Sequence, residues 1–142
     1  MKPGLQAGRS TQVRFVVTPE MCPHFDGVLV HPVCATWTIV HQMEVAGRKL
    51  LVPFLDEDEE GVGSHISIDH RAPAPVGCEV VATATATEVT RRRLVARVTA
   101  HVGERLIAEG TFVQSILPRR LLAEHFRRAA EDAGVAGMTN EE

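Results

Sequence analysis

The sequence predicts an α+β domain: an antiparallel five-stranded sheet wrapped around one long central helix, with a short helix at the C-terminal end. Three observations carry this. From Ala35 to Phe54, apolar side chains recur at steps of three and four residues, the mark of a helix with one buried face. Alternating apolar and polar segments flank that stretch, one before it and four after it. The later segments carry Ala82, Ala84, Ala86, Ala96, Ala100, Ala108 and Gly110 on one side, small enough for a helix backbone to approach closely.

Taken in order, residues 1–10 read as a loose leader of Gly, Pro and polar residues. Thr11 to Thr18 alternates, with Val13, Phe15 and Val17 against Gln12, Arg14 and Thr18, a half-buried strand. Pro19 to Pro32 reads as a loop with one apolar patch, Val28-Leu29-Val30. On the long helix, Val40, Met43, Gly47, Leu50, Leu51 and Phe54 share the apolar face, with His41, Arg48 and Lys49 opposite. Pro53 and the acidic run Asp56 to Glu60 end it, and the run reads as a solvated loop. Gly61-Val62-Gly63 opens a strand, Ser64 to His70, in which Ile66, Ile68 and His70 share a face.

After the break Arg71 to Gly77 come three strands: Val80 to Val89, Arg93 to Val102 and Leu106 to Leu117. Gly103-Glu104 is a tight turn between the last two. Pro118 starts a closing helix with Leu121, Leu122, Phe126 and Ala129 on one face, and the chain is expected to fray from Gly134 to Glu142. The division is a leader, 1–10, a domain, 11–117, and a terminal helix with its tail, 118–142. A sheet curled round a central helix is the hotdog arrangement. The early helix and the alanine-rich meander favour it over other α+β sandwiches.

Composition narrows the function. At 142 residues, 44% hydrophobic and 23% charged, the chain suits one globular domain rather than a disordered or collagen-like segment. No apolar run approaches the ~20 residues that span a bilayer. The opening residues lack the apolar stretch of a secretory signal. A net charge of −3 offers no bulk field for nucleic acid. One tryptophan, five phenylalanines and no tyrosine argue against an aromatic platform for RNA or sugar. Cys22, Cys34 and Cys78 are odd in number and form no CxxC, so no disulfide framework is expected and the cytoplasm is the default location. Cys22, His24, His31 and Cys34 lie close in sequence, but their spacing is looser than paired zinc ligands, so no metal is expected.

Four residues stand out chemically. Glu44 borders the apolar stripe of the helix, where a hydrophobe would pack better; it reaches either to water or to a partner or substrate. Thr36 either caps the helix or faces inward in line with Met43 and Gly47. Eight residues separate it from Glu44, about 12 Å along a helix at ~1.5 Å per residue, so the two cannot touch but can flank a ligand. His70 ends a strand on its apolar face; it is either a satisfied core residue or, because imidazole titrates near neutrality, a group that moves a proton. Gly63 is either a flexible turn or a backbone N–H able to approach a carbonyl oxygen. Together they supply a hydroxyl, a carboxylate, an imidazole and a backbone donor, an inventory that fits acyl transfer to water.

The chain resembles the fluoroacetyl-CoA thioesterase family of hotdog proteins. The resemblance lies in Met1-Lys2-Pro3-Gly4-Leu5 with Gly8, Phe15-Val16-Val17, Ala35-Thr36, Glu44, Gly63, His70 with Ala72, Pro75-Val76-Gly77 and Glu109-Gly110-Thr111. It covers roughly residues 1–117, and Thr36, Glu44 and His70 fall without gaps on the family's catalytic threonine, glutamate and histidine. The resemblance implies that Glu44 is the nucleophile or the base that activates water, that Thr36 and His70 complete a triad, and that the Gly63 N–H holds the thioester carbonyl. It implies no cofactor, the CoA thioester being the substrate.

Three departures bear on specificity. Val30 stands where the fluoroacetyl enzyme has a gating phenylalanine, Trp37 stands where it has a small residue, and Phe112-Val113-Gln114 replaces the family's His-Glu-Arg. The expectation is hydrolysis of a small or medium acyl-CoA with little preference for fluorine, and a Trp37 that points inward and disfavours long chains. A non-catalytic acyl-CoA-binding module is the alternative, and a hotdog hydratase or dehydratase a third reading. An open strand edge in the protomer further predicts a homodimer or a dimer of dimers.

Overall fold

The alternation around Val13 becomes β1, Ser10–Val16, the first edge of a five-stranded antiparallel sheet. Its other members are β4 (Glu59–His70), β5 (Glu79–Val89), β6 (Arg93–Val102) and β7 (Arg105–Pro118). The strands run in the order β1-β5-β6-β7-β4, so β1 and β4 are the two edges. The computed structural model describes residues 1–138.

The long helix α1, Thr36–Leu51, packs across one face of this sheet. Its buried residues are Ile39, Met43, Ala46, Gly47, Leu50 and Leu51. They meet the buried small side chains Ala82, Ala84, Ala86, Ala96, Val98 and Ala100 of β5 and β6. Side chains such as Ile39, Met43 and Leu50, removed from water, each contribute about 1.5–3 kcal/mol, and the alanine floor lets them all reach it. This is the hotdog architecture expected above.

Several local expectations are corrected. The helix stops at Leu51, and Val52–Phe54 continue as a tighter 3-10 turn because Pro53 cannot supply an N–H to a further α-turn. The leader is pinned, not loose: the Met1 amine pairs with Asp56 at 2.7 Å and Glu59 at 2.9 Å, Lys2 N–H donates to the Phe54 carbonyl, and Leu5 is buried. The acidic run is therefore partly structural. Glu60 joins β4 and pairs with Arg48 of α1 at 2.5 Å and with Arg119 at 3.2 Å. Its hydrogen bond from Arg48 holds the Glu60 carboxyl below the usual range. β4 thus begins at Glu59 rather than at Ser64, with Gly61 and Gly63 inside the ladder.

The loop Pro19–Pro32 contains a 3-10 turn, Pro19–Met21, and a small hairpin of β2 (His24–Phe25) and β3 (Val28–Leu29). Asp26 and Gly27 turn it with φ of 53° and 79°, the geometry that Asp-Gly favours in two-residue hairpins. The apolar patch Val28-Leu29-Val30 is exposed. The closing helix α2, Arg119–Ala133, buries only Leu122, while Leu121 and Phe126 face outward. Gly134 ends α2 in the left-handed conformation that favours glycine, and residues 139–142 of the anticipated tail lie outside the described residues.

Candidate active site

Two pairs of the singled-out residues come together. Thr36 is the first residue of α1 and does not cap it: Ala35 occupies the N-cap position, and no side chain bonds the first turn. The entry to the helix is held by Ala35 N–H to the Met21 carbonyl, Cys34 N–H to the Ala74 carbonyl and the Thr38 hydroxyl donating to the same Met21 carbonyl at 3.1 Å. This leaves the Thr36 hydroxyl free, and its Oγ1 lies 2.8 Å from His70 Nδ1. Thr36 is exposed, whereas the His70 ring is half-buried and its Nε2 is shielded from solvent without a hydrogen-bond partner among the described residues.

The second pair is Glu44 and Gly63. A Cβ placed on Gly63 would stand 3.5 Å from Glu44 Oε1, and 3.3 Å from Cε1 of Phe112. The carboxylate thus rests against the backbone of β4 at a point where the chain has no side chain. Phe112 and Gln114 of β7 set this spacing. The Phe112 ring packs so tightly on Gly47 that any side chain there would collide with it. Gln114, the one buried polar residue among those described, donates through Nε2 to the Gly47 carbonyl at 2.9 Å. Neither residue was expected in the site; Gln114 left one signal, a polar side chain in the inward register of a strand.

A bulge puts Gly63 and His70 on the same face. Seven residues apart on an alternating strand, they would face opposite sides. The register shift between Gly63 and His65 inserts one extra residue, so that Gly63 pairs with Gln114, Ile66 with Phe112, Ile68 with Gly110 and His70 with Ala108. Both ends of β4 then face α1. Among the described residues no hydrogen bond joins Glu44 to Thr36 or His70, in keeping with their separation along the helix.

Val30 and Trp37 are 45% and 51% exposed. Trp37 does not point inward as expected. It precedes Ile39 by two residues, about 200° round a helix of 3.6 residues per turn, and so faces away from the core. Its ring instead packs edge-on against Phe25 of the hairpin, centroids 5.5 Å apart at 87°.

The Cys34 thiol, two residues before Thr36, is held in its unreactive protonated form. Burial, reinforced by Cys22 and Cys78, pushes the Cys34 thiol up to about 11, which keeps it protonated at neutral pH. Cys22 is equally buried, with its Sγ toward the Thr18 carbonyl, and His24 Nδ1 lies 2.9 Å from the Cys22 carbonyl. Two shallow depressions of about 500 and 410 Å³ lie on the outer, polar face of the sheet and do not include the four site residues.

Comparison with known proteins identifies the family. The family described as fluoroacetyl-CoA-specific thioesterase matches residues 17–120. The fluoroacetyl-CoA thioesterase of Streptantibioticus cattleyicolor is 33% identical over 123 residues, covering 82% of this chain and 88% of that protein. A thioesterase superfamily member from Thermus thermophilus is 39% identical, with a TM-score of 0.88 over 93% of this chain and 98% of that one. A structure of a fluoroacetyl-CoA thioesterase gives 29% identity and a TM-score of 0.79 over 88% of this chain and 97% of that chain. With the hotdog fold and more than half of its length matched, the chain belongs to the fluoroacetyl-CoA-specific thioesterase family.

Proposed function

We propose that this protein is an acyl-CoA thioesterase whose hydrolytic centre is formed by Glu44, Thr36, His70 and the Gly63 N–H. Membership of a thioesterase family supports the hydrolase activity. The observation that carries the site is the convergence of the Glu44 carboxylate on Gly63, beside a Thr36–His70 hydrogen bond on the same sheet face. The thioester sits between the two pairs. Glu44 delivers the attacking oxygen, its own or that of a water it deprotonates, to the carbonyl carbon. The electron pair displaced onto the carbonyl oxygen is held by the Gly63 N–H. Collapse of this intermediate breaks the C–S bond: where water attacks, the proton Glu44 took passes to the departing thiolate and the free acid leaves; where Glu44 itself attacks, water hydrolyses the resulting mixed anhydride and supplies the thiol's proton. No cofactor enters this scheme.

The substrate proposed is a small or medium acyl-CoA without selectivity for fluorine. Val30 lacks the ring that would close over a small polar acyl group, and Trp37, exposed against Phe25, does not fill the acyl site. The same pair offers a surface for the pantetheine arm. The assembly proposed is a homodimer joined along the free edge of β4, the edge strand that bears Gly63 and His70. The location proposed is the cytoplasm; no helix among the described residues is long and apolar enough to cross a membrane.

The test is release of free thiol from acetyl-, fluoroacetyl-, butyryl- and octanoyl-CoA. Turnover of the short thioesters is expected. Binding of acyl-CoA without any thiol release would favour a non-catalytic acyl-CoA-binding module.

A further inference from the structure

A neutral imidazole has one N–H donor and one acceptor nitrogen, and its surroundings decide which is which. His70 has unequal surroundings. Nδ1 faces Thr36 Oγ1 at 2.8 Å, while Nε2 is shielded from solvent with no hydrogen-bond partner among the described residues. A hydrogen on Nε2 would be a buried N–H without an acceptor, the kind of orphan folded proteins tolerate least. A hydrogen on Nδ1 is satisfied by the Thr36 oxygen and leaves only a lone pair at Nε2.

We propose that the neutral His70 ring carries its hydrogen on Nδ1 and donates it to Thr36 Oγ1, so that the Thr36 hydroxyl hydrogen is left to bond the acyl thioester. This rests on the reading of Thr36 and His70 as parts of the hydrolytic site. Thr36 has a single hydroxyl hydrogen to give, and it is not used to cap α1. With its oxygen accepting from His70, that hydrogen points to the open side, where Thr36 is exposed. Thr36 is then a donor to the substrate, and His70 a positioning residue that orients it. This is the opposite of a hydroxyl nucleophile, whose hydrogen must point at the imidazole that removes it. No covalent bond to Thr36 forms in this scheme, and His70 takes no proton from it.

The direct test is a long-range 1H–15N correlation spectrum of the 15N-histidine-labelled wild-type protein at about pH 8, above the ordinary imidazole range. His70 is assigned by the resonances lost in His70→Asn. The expected pattern is a protonated Nδ1 and a bare Nε2; a hydrogen on Nε2 overturns the proposal. Kinetics give a second reading. An asparagine at 70 can place an amide N–H where Nδ1 stood, whereas an aspartate offers only acceptors. His70→Asn is expected to keep thiol release within about tenfold of wild type and His70→Asp to lose about a hundredfold or more. A folded His70→Asn as inactive as His70→Asp also overturns the proposal. A wild-type protein that releases no thiol from any acyl-CoA would overturn the hydrolase reading instead, and the spectrum would still decide where the His70 hydrogen sits.

Discussion

Thr36 Oγ1 and His70 Nδ1 lie 2.8 Å apart although 34 positions separate them in the chain. One is the first residue of α1 and the other the last of β4, so this bond ties the start of the helix to the end of an edge strand. If the hydroxyl serves the substrate, Thr36→Ser keeps it and Thr36→Val removes it at nearly constant volume. Thr36→Ser is expected within about tenfold of wild-type kcat, and Thr36→Val to fall by about a hundredfold or more, as for loss of one donor to the reacting carbonyl. Equal kcat in Thr36→Val and wild type, measured by thiol release, would take the hydroxyl out of the reaction.

Gly63 is the point where Glu44 meets the sheet. Gly63→Ala would set a methyl 3.5 Å from Glu44 Oε1 and 3.3 Å from the Phe112 ring, closer than the ring normally allows. The chain there is exposed, so the fold tolerates the change while the carboxylate shifts. The expected outcome is a loss of about tenfold or more in kcat with little change in Tm, since small displacements of a reacting group are costly. An unchanged kcat would show that the approach of Glu44 to Gly63 is incidental.

Trp37 is read differently in the structure than in the sequence, and its variant separates the two. A tryptophan inside the acyl pocket would limit chain length; one exposed beside Phe25 would instead hold part of the CoA arm. Trp37→Ala is therefore expected to raise KM several-fold for every acyl-CoA, the loss of one aromatic contact worth about 0.5–1.5 kcal/mol, without changing the order of preference. Octanoyl-CoA gaining selectively over acetyl-CoA would return Trp37 to the pocket. In the wild type, a preference for fluoroacetyl- over acetyl-CoA above about a hundredfold would refute the argument from Val30.

The free edge of β4 predicts assembly. Sedimentation equilibrium at micromolar concentration should give twice the 15.5 kDa protomer mass, or a multiple of that dimer. An active monomer would contradict pairing along this edge.

The long helix and the meander were legible because their signals are local and periodic: Met43, Leu50 and Leu51 on one side of α1, alternating alanines along β5 and β6. Thr36, Glu44, Gly63 and His70 stood out by residue type and placement, and the family resemblance supplied the roles proposed for them. What pattern could not supply was the bulge after Gly63. It changes no residue type, yet it decides whether Gly63 and His70 share a face. Nor could it supply the salt bridges of the acidic run, which depend on Met1, Arg48 and Arg119 arriving from distant parts of the chain. The hairpin was within reach, since Asp26-Gly27 lies between Phe25 and Val28, but its strands are only two residues each. The direction of Trp37 was within reach as well: six residues before Met43, about 240° round the helix, it lies off the apolar face.

The central claim, that Glu44 drives the hydrolysis, is tested most directly by Glu44→Gln. The amide keeps the size and polarity of the side chain and removes its capacity to attack or to accept a proton. Thiol release from the best short acyl-CoA should fall by about two to four powers of ten in kcat, with an unchanged thermal unfolding midpoint. A folded Glu44→Gln protein that turns over at the wild-type rate would contradict the account.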